Sequence, residues 1–315
     1  MTAVVWQIVQ IVLVLATAPL VTGWVRWVKA RLNGRRGAPP WQPYRDFYRL
    51  LQKEAVVAHS ASWIFRAAPY ITFASVWLAA CIVPTFTTNI FLAPAADLIA
   101  LVALLAIGRF WTALAGMDVG TAFGGLGASR EMMIASLAEP AMLMVTFSLS
   151  LVAGTTQPAQ IVVFVLGGNV GIEVSLGLAL AAMLMVAIAE NGRIPIDNPA
   201  THLELTMVHE AMVLEYSGRH LAMIEAAQMV RLTLFMALIA CLFAPWGMAM
   251  PGAGLPGILV GMAAFAAKLF ILATALAWFE TVIAKMRVFR YSDFLGGALL
   301  LGLLATIFLY VSEAV

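Results

Sequence analysis

Long apolar stretches, separated by short charged segments, recur along all 315 residues of this sequence. A helix that crosses the hydrocarbon of a bilayer needs roughly 20 mostly apolar residues. The chain is 63% hydrophobic and only 11% charged, so such helices can account for most of its length. We predict an all-α polytopic protein, one integral membrane domain over residues 1–315, with eight transmembrane helices at 3–25, 66–88, 95–117, 129–153, 173–190, 219–244, 255–283 and 294–312.

Lysine and arginine are concentrated in alternate connecting segments. With eight spans, the loops at about 26–65, 118–128, 191–218 and 284–293 fall on one side of the membrane. These loops and the adjoining helix ends hold all but three of the eighteen basic residues. The exceptions, Arg109, Arg231 and Lys268, fall inside predicted helices. Because basic loops stay in the cytoplasm, we predict that both termini lie on the outer side.

The sequence offers no ligand set for a redox centre. Cys81 and Cys241 each lie alone in an apolar span and cannot supply the thiolates of an iron–sulfur cluster. No two of the four histidines have the i,i+4 spacing of a helical metal site. The glycine-rich segments do not follow a strand, which argues against a nucleotide-binding loop. We therefore expect this chain to bind no cofactor, and we expect no nucleic-acid partner.

The first cytoplasmic loop contains an amphipathic pattern from about 43 to 57. Phe47 and Leu51 recur at helical spacing, with Arg45 and Arg49 on the other side. The pattern predicts a helix lying along the cytoplasmic membrane surface. Such a helix could anchor the chain to anionic lipid or form part of a platform for a cytoplasmic partner. The pattern does not distinguish these two functions.

Glu139 lies roughly two turns inside its predicted helix, directly before Pro140. A carboxylate at that depth is costly. It could pair with Arg109 or Arg231, or cap backbone groups freed by Pro140. It could instead transfer protons. Because no base stands at i,i+4 beside it, we favour proton transfer.

Five of the sixteen acidic residues fall in or just before the third loop. Its residues 200–218 are predicted to be helical, which places Glu204 and Glu215 on one face and Glu210 to one side. These carboxylates could line a water-filled path and exchange protons. They could equally be solvated or paired with arginines. The five acids are Glu190, Asp197, Glu204, Glu210 and Glu215.

Further charges lie deeper in the predicted membrane segments. Glu225 and Arg231 are six residues apart, and Lys268 and Glu280 are twelve apart, so neither pair can form within one helix. Separated charges of this kind predict a polar chain across the helix bundle. The predicted proton path comprises Glu139, Glu190, Asp197, Glu204, Glu210, Glu215, Glu225, Arg231, Lys268 and Glu280.

Four stretches of the sequence resemble one family of membrane subunits. The chain resembles subunit 1 of respiratory complex I, which joins the peripheral arm to the membrane arm. It is more similar to the corresponding subunit of formate hydrogenlyase and of related membrane-bound NiFe hydrogenases, including the hydrogenase-4 type. The stretches are GAPPWQPYRDFYRLLQKE, GGLGASREMMIASLAEP, AENGRIPIDNPATHLELTMVHEAMVLEYSG and AKMRVFRYSDFLG, within residues 37–296.

This resemblance implies a fold and a set of partners. It implies an eight-helix bundle with a surface helix after the first span, in the cytoplasmic (inner) membrane of a bacterium. The chain would be a non-catalytic anchor for NiFe hydrogenase large and small subunits and iron–sulfur subunits, which hold the metal centres, beside antiporter-like membrane subunits. Family acids match the predicted path at Glu139, Glu190, Asp197, Glu204, Glu210 and Glu215. Arginines assigned to partner docking are Arg35, Arg36, Arg45, Arg130, Arg193 and Arg287.

The third loop departs from the quinone-binding form of the family. That form carries an acidic, phenylalanine-bearing loop, whereas this chain has Ile196, Asn198 and His202 in the same region. The departure argues against quinone binding and favours the hydrogen-evolving branch. Three alternatives remain open: a quinone-site subunit of an NADH:quinone oxidoreductase, a stand-alone secondary ion transporter, and an anchor with no role in ion coupling.

Overall fold

The computed structural model describes residues 2–167, 174–193, 208–283 and 291–314, and these are almost entirely helical. Within the described ranges, the β-structure consists of an isolated bridge between Thr87 and Ala249. Besides a short 3₁₀ turn, eleven α-helices occur there: α1 Thr2–Leu32, α2 Gln42–Leu51, α3 Trp63–Ile82, α4 Leu98–Asp118, α5 Ala122–Ala153, α6 Pro158–Leu166, α7 Val174–Glu190, α8 His209–Val213, α9 Gly218–Leu242, α10 Gly254–Val282 and α11 Tyr291–Ala314.

Seven of these helices are long and apolar enough to cross a membrane: α1, α3, α4, α5, α9, α10 and α11. This confirms the all-helical membrane class. The remaining predicted span, 173–190, coincides with α7, whose 17 residues rise about 25 Å. That rise is shorter than the roughly 30 Å of hydrocarbon in a typical bilayer. The count of eight crossings therefore stays a prediction.

Two predicted boundaries were wrong, one because of a local helix cap and one because of a tertiary contact. The loop at 118–128 is mostly helix, since α5 begins at Ala122, where the Thr121 side chain accepts a hydrogen bond from the Gly124 amide at 3.3 Å. Within the segment predicted as an amphipathic surface helix, α2 ends at Leu51 instead of 57, and its place at the membrane surface stays a prediction. Beyond α2, the Val56 amide donates to Ser217 Oγ at 2.8 Å, which draws the chain toward the start of α9.

The predicted helix over 200–218 is likewise shorter than expected. In its described part, residues 208–218, α8 covers only His209–Val213, and a turn follows at Leu214 and Glu215. Gly218 then starts α9 with φ +52°, packed against the backbone of Glu54. A side chain on Gly218 would strain that backbone and collide with this segment.

Contacts between helix ends define two ends of the bundle. At the first, which we call the charged end, Ser62 Oγ donates to Asp118 at 2.7 Å. At the opposite end, the Gln7 side chain donates to the Cys81 carbonyl at 2.9 Å, and the Leu98 amide donates to a carbonyl following α5. The helices therefore run side by side in alternating directions between the two ends.

Helix α9 lies at the centre of the bundle. Its apolar window is 83% buried, against 28% for both α1 and α10. Helices α1, α2, α3, α6, α7 and α10 all pack against α9. The polar side chains that α9 carries, including Glu225 and Arg231, are therefore brought into the interior of the bundle.

Candidate functional site

A cavity of about 690 Å³ opens at the charged end between α1, α5, α7, α8, α9 and α10, and we call it the charged cavity. Five members of the predicted proton path line it together with Arg193. This convergence could not be read from spacing, because the residues lie on different helices. The acidic, basic and histidine side chains that line the cavity are Arg26, Lys29, Glu131, Glu190, Arg193, His209, Glu210, Glu225, Arg231 and Glu280.

Beside the cavity, the Arg109 guanidinium of α4 contacts three carboxylates. Arg109 Nε lies 3.6 Å from Glu131 and Nη1 lies 3.3 Å from Glu139, both on α5, while Nη2 forms an ion pair with Glu190 of α7. The Arg109 side chain is only 4% exposed. We call these four residues the Arg109 cluster. The ion pair with Arg109 was one of the explanations offered for Glu139, beside a cap for backbone groups freed by Pro140 and proton transfer.

The local sequence explains why these side chains meet. Glu131 and Glu139 are eight residues apart, a little over two helical turns, so both face α4 from the same side of α5. Pro140 lies inside α5 without ending it. Gly108, directly before Arg109, has no side chain to collide with Ser75 of α3. Helices α3, α4 and α5 can therefore pack closely around the guanidinium.

Arg231 of α9 is buried in the bundle and lines the charged cavity. The residue is 6% exposed, and its Nε has no hydrogen-bond partner among the described residues. Glu190 and Glu131 are the carboxylates that act on it electrostatically. Arg231 therefore belongs to the same group of interacting charges, although it forms no direct ion pair in the described part of the chain.

At the rim of the charged cavity, Glu280 holds two basic side chains. One of its carboxylate oxygens lies 2.7 Å from Lys29 Nζ of α1, and the other lies 2.9 Å from Arg193 Nη1 after α7. The Glu280 side chain is 6% exposed. Arg193, predicted to dock a partner, is therefore engaged within this chain through Glu280.

A second cavity, of about 320 Å³, lies on the outer side of α4 and α5, and we call it the lateral pocket. It is lined by Glu139 and Arg109 with apolar side chains that include Ile107, Phe110 and Met132. Glu139, whose side chain is 35% exposed, reaches this pocket. The Arg109 cluster therefore separates the lateral pocket from the charged cavity, with carboxylates on both sides.

The other predicted residues are dispersed. Glu215 is exposed in the turn after α8, and Arg35, Arg36 and Arg45 are exposed at the charged end, while Arg130 is half-buried. Lys268 lies on α10, away from both cavities. Asp197, Glu204 and Arg287, together with Ile196, Asn198 and His202, lie outside the described residues.

Sequence reasoning did not identify Glu131, Lys29 or His209 as site residues. Glu131 could have been found, because it stands eight residues before Glu139 on the same helix face. Lys29 and His209 meet their partners only through tertiary structure. The Gln228 amide of α9, for example, donates a hydrogen bond to His209 Nε2, and Gln228 comes nineteen residues after His209.

His209 provides a pH-dependent prediction. Burial lowers the pKa of His209 to about 4. The nearby Arg231 guanidinium also lowers this pKa, and the Glu210 carboxylate raises it by a smaller amount. An unfolded histidine binds a proton below about pH 6.5. Between these values the unfolded chain binds more protons than the folded one, so stability decreases as the pH falls from about 6.5 to 4.

We expect His209→Gln to weaken this dependence. The unfolding temperature of the purified protein should fall less between about pH 7 and pH 5 in the variant than in the parent, because glutamine carries no proton. His59→Gln is the matched control, since His59 is exposed and its replacement should leave the dependence unchanged. Parallel curves for the parent and His209→Gln would contradict the assignment.

Comparisons with known proteins agree with this architecture. The NADH dehydrogenase family matches residues 5–311. Formate hydrogenlyase subunit 4 of Escherichia coli (strain K12) is 32% identical over 286 residues, 91% of this chain and 92% of that protein. Hydrogenase-4 component C of the same organism is 35% identical over 247 residues, covering 78% and 77% of the two chains.

More distant relatives extend the comparison. A subunit of the NADH-quinone oxidoreductase of Anaplasma phagocytophilum (strain HZ) is 27% identical over 265 residues, 79% of this chain and 77% of that protein. A chain of the membrane-bound sulfane sulfur reductase, an archaeal respiratory membrane complex, superposes with a TM-score of 0.81 at 19% identity, covering 96% and 97% of the two chains. That likeness shows the fold. The sequence relatives confirm the resemblance inferred from the four stretches.

Proposed function

Because this chain belongs to the NADH dehydrogenase family, the family of respiratory complex I subunit 1, we propose that it is the non-catalytic membrane subunit of a formate hydrogenlyase-type complex. Its similarity to formate hydrogenlyase subunit 4 and hydrogenase-4 component C supports this branch. In the proposed complex it anchors a NiFe hydrogenase arm and adjoins antiporter-like membrane subunits. It couples the chemistry of the docked arm to translocation of protons or sodium ions.

The observation that carries the proposal is the continuity of charged groups from the charged cavity to the lateral pocket. Glu190 and Glu131 line the cavity and also contact Arg109. Arg109 in turn contacts Glu139, which lines the lateral pocket. A change of charge in the cavity can therefore act on Glu139 through a single guanidinium, with no intervening apolar layer.

The charge balance of this group indicates how it would work. Arg109 and Arg231 act on three carboxylates, those of Glu131, Glu139 and Glu190, so two positive and three negative charges leave a formal charge of −1. An uncompensated buried charge is costly, so the group is proposed to hold one proton. The carboxyl group that carries the proton determines which carboxylates Arg109 binds.

The third loop provides the connection to the docked arm in this proposal. Glu210 at its end and Glu225 at the start of α9 both line the charged cavity. A hydrogenase that consumes protons beside this end alters the charge that these residues sense. That alteration shifts the proton held in the Arg109 cluster, and Glu139 passes the change to a neighbouring membrane subunit at the lateral pocket.

The topology proposed with this function counts α7 as the eighth crossing. The charged end then faces the cytoplasm of a bacterium, both termini lie outside, and helix α2 lies along the cytoplasmic membrane surface. Arg35, Arg36 and Arg45, exposed at that end, contribute to docking the soluble arm. Asp197, Glu204 and Arg287 keep their predicted roles in the path and in docking.

A Glu139→Gln variant of the complete complex tests the coupling. Reconstituted in liposomes, it should evolve hydrogen at close to the parent rate. Its ion gradient per hydrogen should be about tenfold lower, a size typical of coupling between sites, because glutamine cannot take up or release a proton. Glu54→Gln is the matched control, since Glu54 is exposed and lies outside both cavities.

The alternatives predict different results in the same experiment. An anchor without a coupling role would give Glu139→Gln a normal gradient. A quinone-site subunit would make turnover depend on added quinone and respond to quinone-site inhibitors. A stand-alone transporter would move ions in liposomes without any partner subunit. Each of these results would contradict the proposed function.

A further inference from the structure

Lys268 lies at the midpoint of α10, fourteen residues from each end of the 29-residue helix Gly254–Val282. At 1.5 Å per residue, each end is about 21 Å away, whereas half of a typical hydrocarbon layer is about 15 Å. Contacts agree with this depth: Gly261 packs against the Phe86 carbonyl toward the opposite end, and Glu280 lies at the charged cavity. Lys268 is therefore an intramembrane charge.

The described part of this chain does not neutralise that charge. Lys268 belongs to none of the ion pairs among the described residues, which involve other basic side chains. The titratable group that acts on it there is the Cys241 thiol of α9, and a buried neutral thiol cannot balance an ammonium. Charged side chains at membrane depth almost always pair with another group or face water.

The surface of α10 around Lys268 is suited to close helix packing. α10 packs mainly against α1 and α9, which leaves its remaining face open. Ile271 is 67% exposed on that face. Ala263 and Ala267, four residues apart, are exposed on the same face as Ile271, and the half-buried Lys268 lies at its edge. Small residues at this spacing let a second transmembrane helix approach closely.

We propose that this face of α10 binds a transmembrane helix of a partner membrane subunit, and that a carboxylate at mid-membrane on that helix pairs with Lys268. Charge complementarity selects the occupant, because lipid tails leave the ammonium without a counter-charge. The inference rests on the proposed function only in that the chain works within a complex of several membrane subunits. On this inference Lys268 is not part of the proton path, and its role is to bind a partner membrane subunit during assembly of the complex.

Two variants of the full complex test this interface. Lys268→Met, purified through a tag on this chain, should lose one membrane subunit by about tenfold or more, as for truncation of one partner of a buried charge pair. Lys268→Arg, which keeps the charge, should retain that subunit. Ile307→Ala, at an exposed position of α11 and outside this face, is the uncharged control and should retain it as well.

A photoreactive benzoylphenylalanine in place of Ala267 identifies the occupant without altering Lys268. We expect a crosslink to one helix of one membrane subunit, with an aspartate or glutamate near its middle. Exchanging the charges, with Lys268→Glu and that acid replaced by lysine, should restore the subunit. The inference fails if the crosslinks reach lipid alone, as for a lysine that extends to the headgroups, or if Lys268→Met retains every subunit.

These outcomes are separable from a failure of the proposed function. Retention of the soluble arm and the hydrogen-evolution rate are measured on the same preparations. A complex that loses the coupling role but still needs Lys268 for a membrane partner would contradict the function and support the interface. A complex that couples hydrogen evolution to an ion gradient, but keeps every subunit in Lys268→Met, would support the function and contradict the interface.

Discussion

Arg109→Met is expected to destabilise the protein more than any other single substitution in the described bundle. The change leaves the largely buried carboxylates of Glu131 and Glu190, with the partly exposed Glu139, without the guanidinium that contacts all three. Removing one partner of a buried ion pair costs about 3–5 kcal/mol. We expect a large fall in the unfolding temperature of the purified protein and in the amount of folded chain recovered from membranes.

The specificity of this effect can be checked by two further variants. Arg49→Met removes an exposed arginine whose ion pair with Asp46 spans 3.3 Å at the surface, and such pairs contribute roughly 0–1 kcal/mol. Adding Glu190→Gln to Arg109→Met should recover part of the lost stability, because it removes one of the uncompensated charges. If Arg49→Met and Arg109→Met were equally mild, the Arg109 cluster would not be a buried network.

Glu280→Gln is expected to have the second largest effect. Glu280 holds Lys29 at 2.7 Å and Arg193 at 2.9 Å with a side chain that is 6% exposed. The substitution leaves two cations side by side at the rim of the charged cavity. Because Lys29 and Arg193 are partly exposed, water offsets part of the loss, and we expect a cost of about 2–4 kcal/mol.

Thermal unfolding of the purified protein measures this cost. Asp46→Asn is the matched control, since it neutralises an acid whose arginine partner is well exposed. Combining Glu280→Gln with Lys29→Met should cost less than the sum of the two single changes, because the Lys29 charge is then no longer left unpaired. Strict additivity would show that Glu280 and Lys29 do not interact.

The membrane helices could be predicted because the bilayer imposes a length requirement that composition reveals directly. Seven of the eight predicted spans coincide with long apolar helices. The boundaries were less predictable. The start of α5 at Ala122 depends on a Thr121 cap and on close packing of Gly124 against α4, and neither feature alters the apolar pattern.

The candidate site was predictable in its residue types but not in its pairing. An acidic residue within an apolar helix is conspicuous in the sequence, and Glu139 and Glu190 were identified for this reason. Their partners are distant in sequence: Arg109 and Glu139 are separated by 30 residues, and Lys29 and Glu280 by 251. Helical periodicity relates only positions within one helix, so these ion pairs between helices required the tertiary structure.

The proposed coupling requires the Arg109 cluster to change its protonation during turnover. Infrared difference spectroscopy of the complete complex, recorded as hydrogen evolution begins, tests this requirement through the carbonyl stretch of a protonated carboxylic acid. We predict a carboxylic-acid band that is lost or shifted in Glu139→Gln and Glu190→Gln but kept in Glu54→Gln. The absence of such a band in the parent complex, or its persistence unchanged in both cluster variants, would contradict the proposed coupling.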